Sequence, residues 1–311
     1  MTDLILHHYD LSPFARKVRA VLGYKQLAWR SCEVAMMPPR PSLATLAGGY
    51  RRIPVLQVGA DVLCDSNLIL RYLDQVAPTP SLQTRDDVLT TPVSQWFEPR
   101  MFTLFSVLAF RTRSDVAGVF TSDEQRAAFG RDRAGFMAPM LDIRKSAENA
   151  ATCASHVRIL AAWLEERLRD GRPFLQGATP THADFSAFHP FHWLQEKSAR
   201  TDFLDDFAQL WTWVDRIAAL GEGTRTPIDE TAALAVARDA APALAFAHDP
   251  GPGDPALGSR VRVAPSDYGV EPVEGALTSI GRDHVSLTRT TDETGEVVVH
   301  FPRWGYRIDA I

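Results

Sequence analysis

Residues 9–22, YDLSPFARKVRAVL, close an apolar run, insert Ser-Pro, and open a segment in which Phe14, Val18, Val21 and Leu22 recur at helical spacing. Proline suits the first helical position, because its missing N–H would have no intrahelical partner there. The stretch therefore predicts a strand, a tight bend, and a helix whose first turn presents unpaired backbone N–H groups beside Ser12. A helix end of this kind attracts a negatively charged ligand atom. Arg16, Lys17 and Arg19 read as a solvated face of the same helix.

Working outward, Leu4 to His8 reads as the strand before the bend, and Trp29 to Val34 as a second strand. MMPPRPS, residues 36–42, reads as an irregular proline-rich loop. IPVLQVGADVLCDS, residues 53–66, reads as a hairpin with Val55 to Val58, a turn at Gly59-Ala60, and Val62 to Cys64. Ser66 is expected to cap a helix that carries Leu68, Ile69, Tyr72 and Leu73 toward a core. Strand, helix, strand, irregular segment, hairpin and helix in this order argue for an α/β unit.

From about Val88 to Asp239 the strand signals fade and the chain reads as all-helical. One helix carries Trp96, Phe97, Met101, Phe102, Phe105 and Leu108; another carries Val157, Leu160, Leu164 and Leu168; a third runs from Phe203 to Ile217. Thr181 stands three residues before Asp184, a variant of the capping box that starts a helix. HDPGPGDP, residues 248–255, is a Gly/Pro linker. Period-two stretches then follow at Arg260 to Val263, His284 to Thr288 and Val297 to Phe301, and predict four or five short strands in a small barrel or curled sheet. The expected domains are residues 1–80, 86–245 and 256–311.

A chain of 311 residues with 45% hydrophobic side chains can fill more than one core. Its net charge of −5 argues against nucleic acid as a partner. Cys32, Cys64 and Cys153 are a sparse, odd set, which fits a reducing compartment. No secretory pattern and no long apolar run is visible, so a cytoplasmic protein without a membrane partner is expected.

Together LSPFARKVR, RRIPVL, CDSNLILRYLD and TPTHADF resemble the glutathione S-transferase superfamily in order and spacing, over roughly residues 3–245. The resemblance implies a thioredoxin-like N-terminal domain that holds glutathione, followed by an all-α domain. It also implies a cleft between them for a small apolar electrophile, and a homodimer. The barrel-like all-β domain beyond about residue 256 is an addition to that plan, and resembles an extra module of some bacterial and fungal members.

Ser12 stands where serine-type members place a hydroxyl, and where omega-class members place a thiol in a similar Pro-Phe context; the resemblance makes it the catalytic residue that stabilises the glutathione thiolate. Pro54 matches the cis-proline of the family, Ile53 would pair its backbone with the cysteinyl part of glutathione, and Arg52 would stand near the glycyl end. Asp65 and Ser66 match the acidic-Ser pair that meets the γ-glutamyl ammonium and carboxylate. Asp in place of the commoner Glu, and no Asn-Pro before RRIPVL, are departures from the pattern. Leu11, Phe14, Met101 and Phe105 are expected to line the pocket for the second substrate.

His189 and His192, three residues apart and surrounded by Phe188, Phe191 and Trp193, read as partly buried aromatic neighbours; no metal is expected. Thiol-disulfide exchange is disfavoured, because position 12 carries no sulfur. A second reading from another class is a non-catalytic binding or scaffold protein whose C-terminal β domain docks a partner.

Overall fold

The computed structural model describes residues 3–83, 90–112, 120–140, 150–196 and 202–311. The first segment runs β1 (Ile5–His8), α1 (Pro13–Tyr24), β2 (Ala28–Glu33), α2 (Pro41–Ala47), β3 (Val55–Val58), β4 (Asp61–Cys64) and α3 (Ser66–Val76). β1 pairs parallel with β2 and antiparallel with β3, and β3 pairs antiparallel with β4. Every residue of β1 and β4 is buried, as expected of strands covered on both faces.

Two local features differ from the sequence reading. α2 begins at the end of the loop expected over residues 36–42: Pro41 occupies its first turn, where a missing N–H does no harm, and Gly48 ends it at φ +67°. The cations of α1 are not solvated, since Arg16, Lys17 and Arg19 are 7%, 0% and 4% exposed. The long stems of Lys17 and Arg19 carry their charges to side chains beyond α1. Lys17 Nζ donates to Asn67 Oδ1 at 2.7 Å and to Ser66 Oγ at 3.4 Å, and Arg19 Nε donates to Glu222 Oε1 at 2.9 Å.

The helical segment comprises α4 (Thr90–Thr112), α5 (Asp123–Phe136), α6 (Ala150–Leu168), α7 (His182–Glu196) and α8 (Ala208–Ala218). α4 packs on α6 and α7, and α8 packs on the same two helices. Met101, Phe105 and Leu108 of α4, Val157 and Leu160 of α6, and Trp211 and Ile217 of α8 are buried, as their spacing predicts. The side chains of Trp96 and Phe97 lie outside the described residues. At the start of α7, Asp184 Oδ2 accepts from the Thr181 amide and hydroxyl at 2.9 and 3.0 Å. Its Oδ1 accepts from the Leu175 amide and Trp213 Nε1 at 2.8 and 2.9 Å.

The all-helical reading to residue 239 needs one correction. β5 (Thr224–Pro227) pairs parallel with β2 at the outer edge of the first sheet, and α9 (Glu230–Arg238) follows it. Four residues with three exposed give no alternation to read. The tail then forms β6 (Arg260–Pro265), β7 (Val273–Ile280), β8 (His284–Thr291), β9 (Gly295–Pro302) and β10 (Tyr306–Ala310), joined as antiparallel neighbours in the order β10-β6-β7-β8-β9. β9 pairs parallel with β4, so the added β module continues the first sheet.

One core serves both parts. Leu43, Leu46 and Tyr50, from α2 and just after it, share a buried cluster with Val263, Leu277, Leu287, Val299 and Phe301 of the module. A buried polar joint sits at the seam: His300 Nε2 pairs with Asp61 Oδ1 at 2.9 Å, and its Nδ1 with Ser286 Oγ at 2.8 Å. Asp61 Oδ2 accepts from the amides of Ala243 and Leu244, tying down the chain that leads to the module. The chain divides into two compact units, Met1–Val18 with Gln26–Leu73 and Gly223–Ile311, and Arg19–Lys25 with Asp74–Glu222.

Candidate functional site

In the sheet unit, the bend after β1 makes Ser12 the cap of α1. Its amide donates to Tyr9 O at 3.0 Å, its carbonyl accepts from Arg16 N at 2.9 Å, and its Oγ accepts from Ala15 N at 3.2 Å. Ser12 is 3% exposed. Capping occupies one lone pair of the hydroxyl and leaves its proton to be donated.

The start of α3 is built differently. Asp65, not Ser66, caps it: Oδ1 accepts from Asn67 N at 2.8 Å and the carbonyl accepts from Ile69 N at 3.0 Å. Asp65 does this at φ +80°, in the left-handed region that non-glycine residues seldom occupy and that clusters at functional sites. Because aspartate takes the capping bond, the hydroxyl of Ser66, 5% exposed, faces the ammonium of Lys17. Lys17 thus connects the start of α1 to the start of α3.

The Ile53–Pro54 peptide bond is cis, and both residues are buried. Arg52 is turned onto the β module: its guanidinium pairs with Asp267, donates from Nε to Tyr268 O at 3.1 Å, and lies 4.0 Å over the Tyr268 ring. Burial opposes its charge, but Tyr268, Tyr306 and Asp267 outweigh burial and hold Arg52 well above its ordinary range. Asp65 Oδ2 accepts from the Tyr306 hydroxyl at 3.1 Å, and Tyr306 in turn meets the Tyr50 hydroxyl at 2.7 Å. Burial pushes both phenols well above the usual range, and at Tyr306 the Asp65 charge adds to the rise. Both stay protonated donors at neutral pH.

Lys17 donates to Ser66, the neighbouring Asp65 accepts from Tyr306, and the Arg52 guanidinium lies 5.9 Å from the Tyr306 ring, while Ser12 caps the helix that carries Lys17. Of the expected pocket residues, Leu11 and Phe14 are half-buried on either side of Ser12 and Pro13. Met101 and Phe105 belong to the helical unit. Met101 lines a cavity of about 240 Å³ with Leu160, Trp163, Leu164 and Leu175, while Phe105 is fully buried and packs edge-on to Phe191 at 4.8 Å. His189, fully buried, pairs with Glu98 at 3.0 Å. Among the described residues, no group of three or more His, Cys, Asp or Glu side chains is placed to hold a metal ion. No helix among them is long and apolar enough to cross a membrane. Burial raises the Cys32 thiol to about 12 and Cys64 well above its usual value, as for small buried hydrophobes.

A GST-like protein from Pseudomonas syringae, known from its crystal structure, is 32% identical, matches over 99% of each chain, and superposes with a TM-score of 0.77. The chain belongs to the glutathione S-transferase superfamily. Residues 6–81 match the family model of the glutathione S-transferase N-terminal domain, and residues 149–216 that of its C-terminal domain. Glutathione S-transferase U4 of Arabidopsis thaliana is 30% identical over 74 residues, 24% of this chain and 33% of that relative, so the match spans about a third of its length. The Tau class glutathione S-transferase of mango, Mangifera indica, shares the fold at a TM-score of 0.52 and 18% identity, over 70% of this chain and 89% of its own.

The sequence reading missed four residues around this site. Lys17 carried a signal, since it falls with Phe14, Val18 and Val21 at helical spacing. Asp267, Tyr268 and Tyr306 carried none; they reach the site only because β9 adds to β4.

Proposed function

We propose that this protein is a glutathione transferase of the serine type, in which residues 1–80 hold the tripeptide, residues 86–245 form the helical part, and residues 256–311 an added β module. Ser12 is the catalytic residue: its remaining proton is donated to the glutathione sulfur at the positive end of α1. A charge-assisted hydrogen bond is worth roughly 1.5–3 kcal/mol, and one pKa unit about 1.4 kcal/mol, so a thiol near about 8.5 falls by about one or two units. The ionised sulfur then attacks a small apolar electrophile, with Leu11 and Phe14 as its nearest apolar contacts in sequence. The protein supplies thiolate stabilisation and orientation, and the tripeptide supplies the nucleophile.

One observation carries this reading: Asp65 caps α3 from a left-handed conformation and thereby leaves Ser66 beside the buried cation of Lys17. A carboxylate fits there, and an ammonium fits the half-buried Asp65, as the two charges of a γ-glutamyl group require. Ile53, before the cis bond to Pro54, is the backbone partner of the cysteinyl residue in this account. Arg52, at the glycyl end, has Asp267 as counter-ion before any ligand arrives. That last contact also favours a second reading, a non-catalytic scaffold whose β module has closed over the site.

A homodimer in the cytoplasm completes the proposal. Three buried thiols support the reducing compartment, and the outer edge of β4, taken by β9, is closed to a partner subunit. The test is Ser12→Ala assayed with glutathione and an apolar aryl electrophile. We expect turnover to fall about 10- to 100-fold with a much smaller change in glutathione KM. An unchanged rate rejects the role of Ser12, and no glutathione binding at millimolar concentration by calorimetry favours the scaffold.

A further inference from the structure

Asp65 is the only carboxylate proposed above to touch a ligand, and its geometry is not fixed by its own segment alone. Oδ1 is held by the amide of Asn67 at 2.8 Å, two residues along the chain. Oδ2 is held at 3.1 Å by the hydroxyl of Tyr306, which is 241 residues away at the start of β10. Tyr306 is itself fixed: its hydroxyl lies 2.7 Å from that of Tyr50, a buried residue after α2, and its ring lies 5.8 Å from Phe301 and 5.9 Å from the Arg52 guanidinium.

We propose that Tyr306 is a positioning residue of the ligand site, which fixes the Asp65 carboxylate so that the site selects thiol tripeptides carrying a free α-amino group on their γ-glutamyl residue. The proposal rests on the functional reading above. An ammonium gains most from a carboxylate whose oxygens are already oriented, because the ligand then orders nothing on binding. The Asn67 amide on one oxygen and the Tyr306 hydroxyl on the other set the orientation of the Asp65 carboxylate, which is half-buried and so within reach of a ligand. Buried phenols that keep their protons are suited to this supporting role, since an ionised Tyr306 would repel the carboxylate. The β module is thus part of the recognition site as well as an extension of the sheet.

The test is calorimetry on the full chain with two probes: glutathione, and the same tripeptide lacking only the γ-glutamyl amino group. Wild type is expected to bind glutathione about tenfold or more tightly than the deaminated probe, the value of one hydrogen bond to a charged group. Tyr306→Phe, which keeps the ring in its packing, is expected to narrow that preference to about threefold or less by weakening glutathione alone. Tyr50→Phe, which removes the next hydroxyl in the relay, is expected to narrow it less and gives a second reading should Tyr306→Phe not fold. A preference that Tyr306→Phe leaves intact, or equal weakening of both probes, overturns the positioning role while the functional reading stands. Failure of wild type to bind either probe overturns both.

Discussion

Two aspartates start two helices in this protein, one in each unit, and they are used in opposite ways. Asp184 at the start of α7 is fully buried and accepts four hydrogen bonds from Leu175, Thr181 and Trp213, all from its own unit. Asp65 at the start of α3 is half-buried, sits at φ +80°, and spends one oxygen on its helix and one on Tyr306. A saturated carboxylate in regular geometry fixes a fold. A strained, accessible one of the same chemistry is what the proposed ligand site calls for.

The largest expected effect separates the two by the same substitution. Asp184→Asn turns an amide N–H₂ toward buried donors and loses two of its four bonds, so the unfolding free energy should fall by about 4 kcal/mol. Urea denaturation checks it, and a change under about 1 kcal/mol would erase the distinction.

Acid should act on the two units with opposite sign. His7 in β1 is buried against Gln57, and burial lowers its pKa from 6.5 to about 4. Between those values only the unfolded chain binds the proton. Stability is therefore complete above pH 6.5, falls as the pH drops, and is lower by about 3 kcal/mol by pH 4. At Asp184 burial outweighs the hydrogen bonds and raises the pKa, so there the folded state takes the proton first and acid favours it. Hydrogen exchange from pH 7 to 4 should show the β1 and β2 amides loosening before those of α7; the reverse order contradicts this assignment.

Lys17→Met sharpens the ligand side of the comparison. It removes the cation beside Ser66 while keeping the stem, so glutathione affinity should drop about 10- to 100-fold. Calorimetry reads the change, and unaltered affinity removes Lys17 from the site. The smallest effect is the counterpart to the first: Asp65→Asn should change stability by less than about 1 kcal/mol, because asparagine caps helices and tolerates positive φ, and its amide can donate to the Tyr306 oxygen. A loss as large as at Asp184 would make Asp65 a folding residue.

Much of this was legible in the sequence because it depends on neighbours. Ser12-Pro13, the hairpin about Gly59-Ala60, Thr181 with Asp184, and the period-two tail are local patterns, and each forms the element it predicts. What was not legible depends on context. Pro41 reads as a breaker until α2 begins on it, and Lys17 reads as solvated until the fold buries it against Ser66 and Asn67. Ser66 reads as a cap, yet the capping bond goes to Asp65, one residue earlier. The contacts of Arg52 and Asp65 with Asp267, Tyr268 and Tyr306 follow from the β4–β9 pairing, a register between strands more than 200 residues apart that no local pattern encodes.

The central claim, that the start of α1 with Ser12 stabilises a sulfur anion, is tested most directly by titrating the ultraviolet absorbance of glutathione thiolate bound to wild type and to Ser12→Ala. The bound thiol should ionise about one to two pH units below about 8.5 in wild type and return toward that value in the variant. A bound thiol that ionises at its free value in wild type, or at the same lowered value in both, contradicts it.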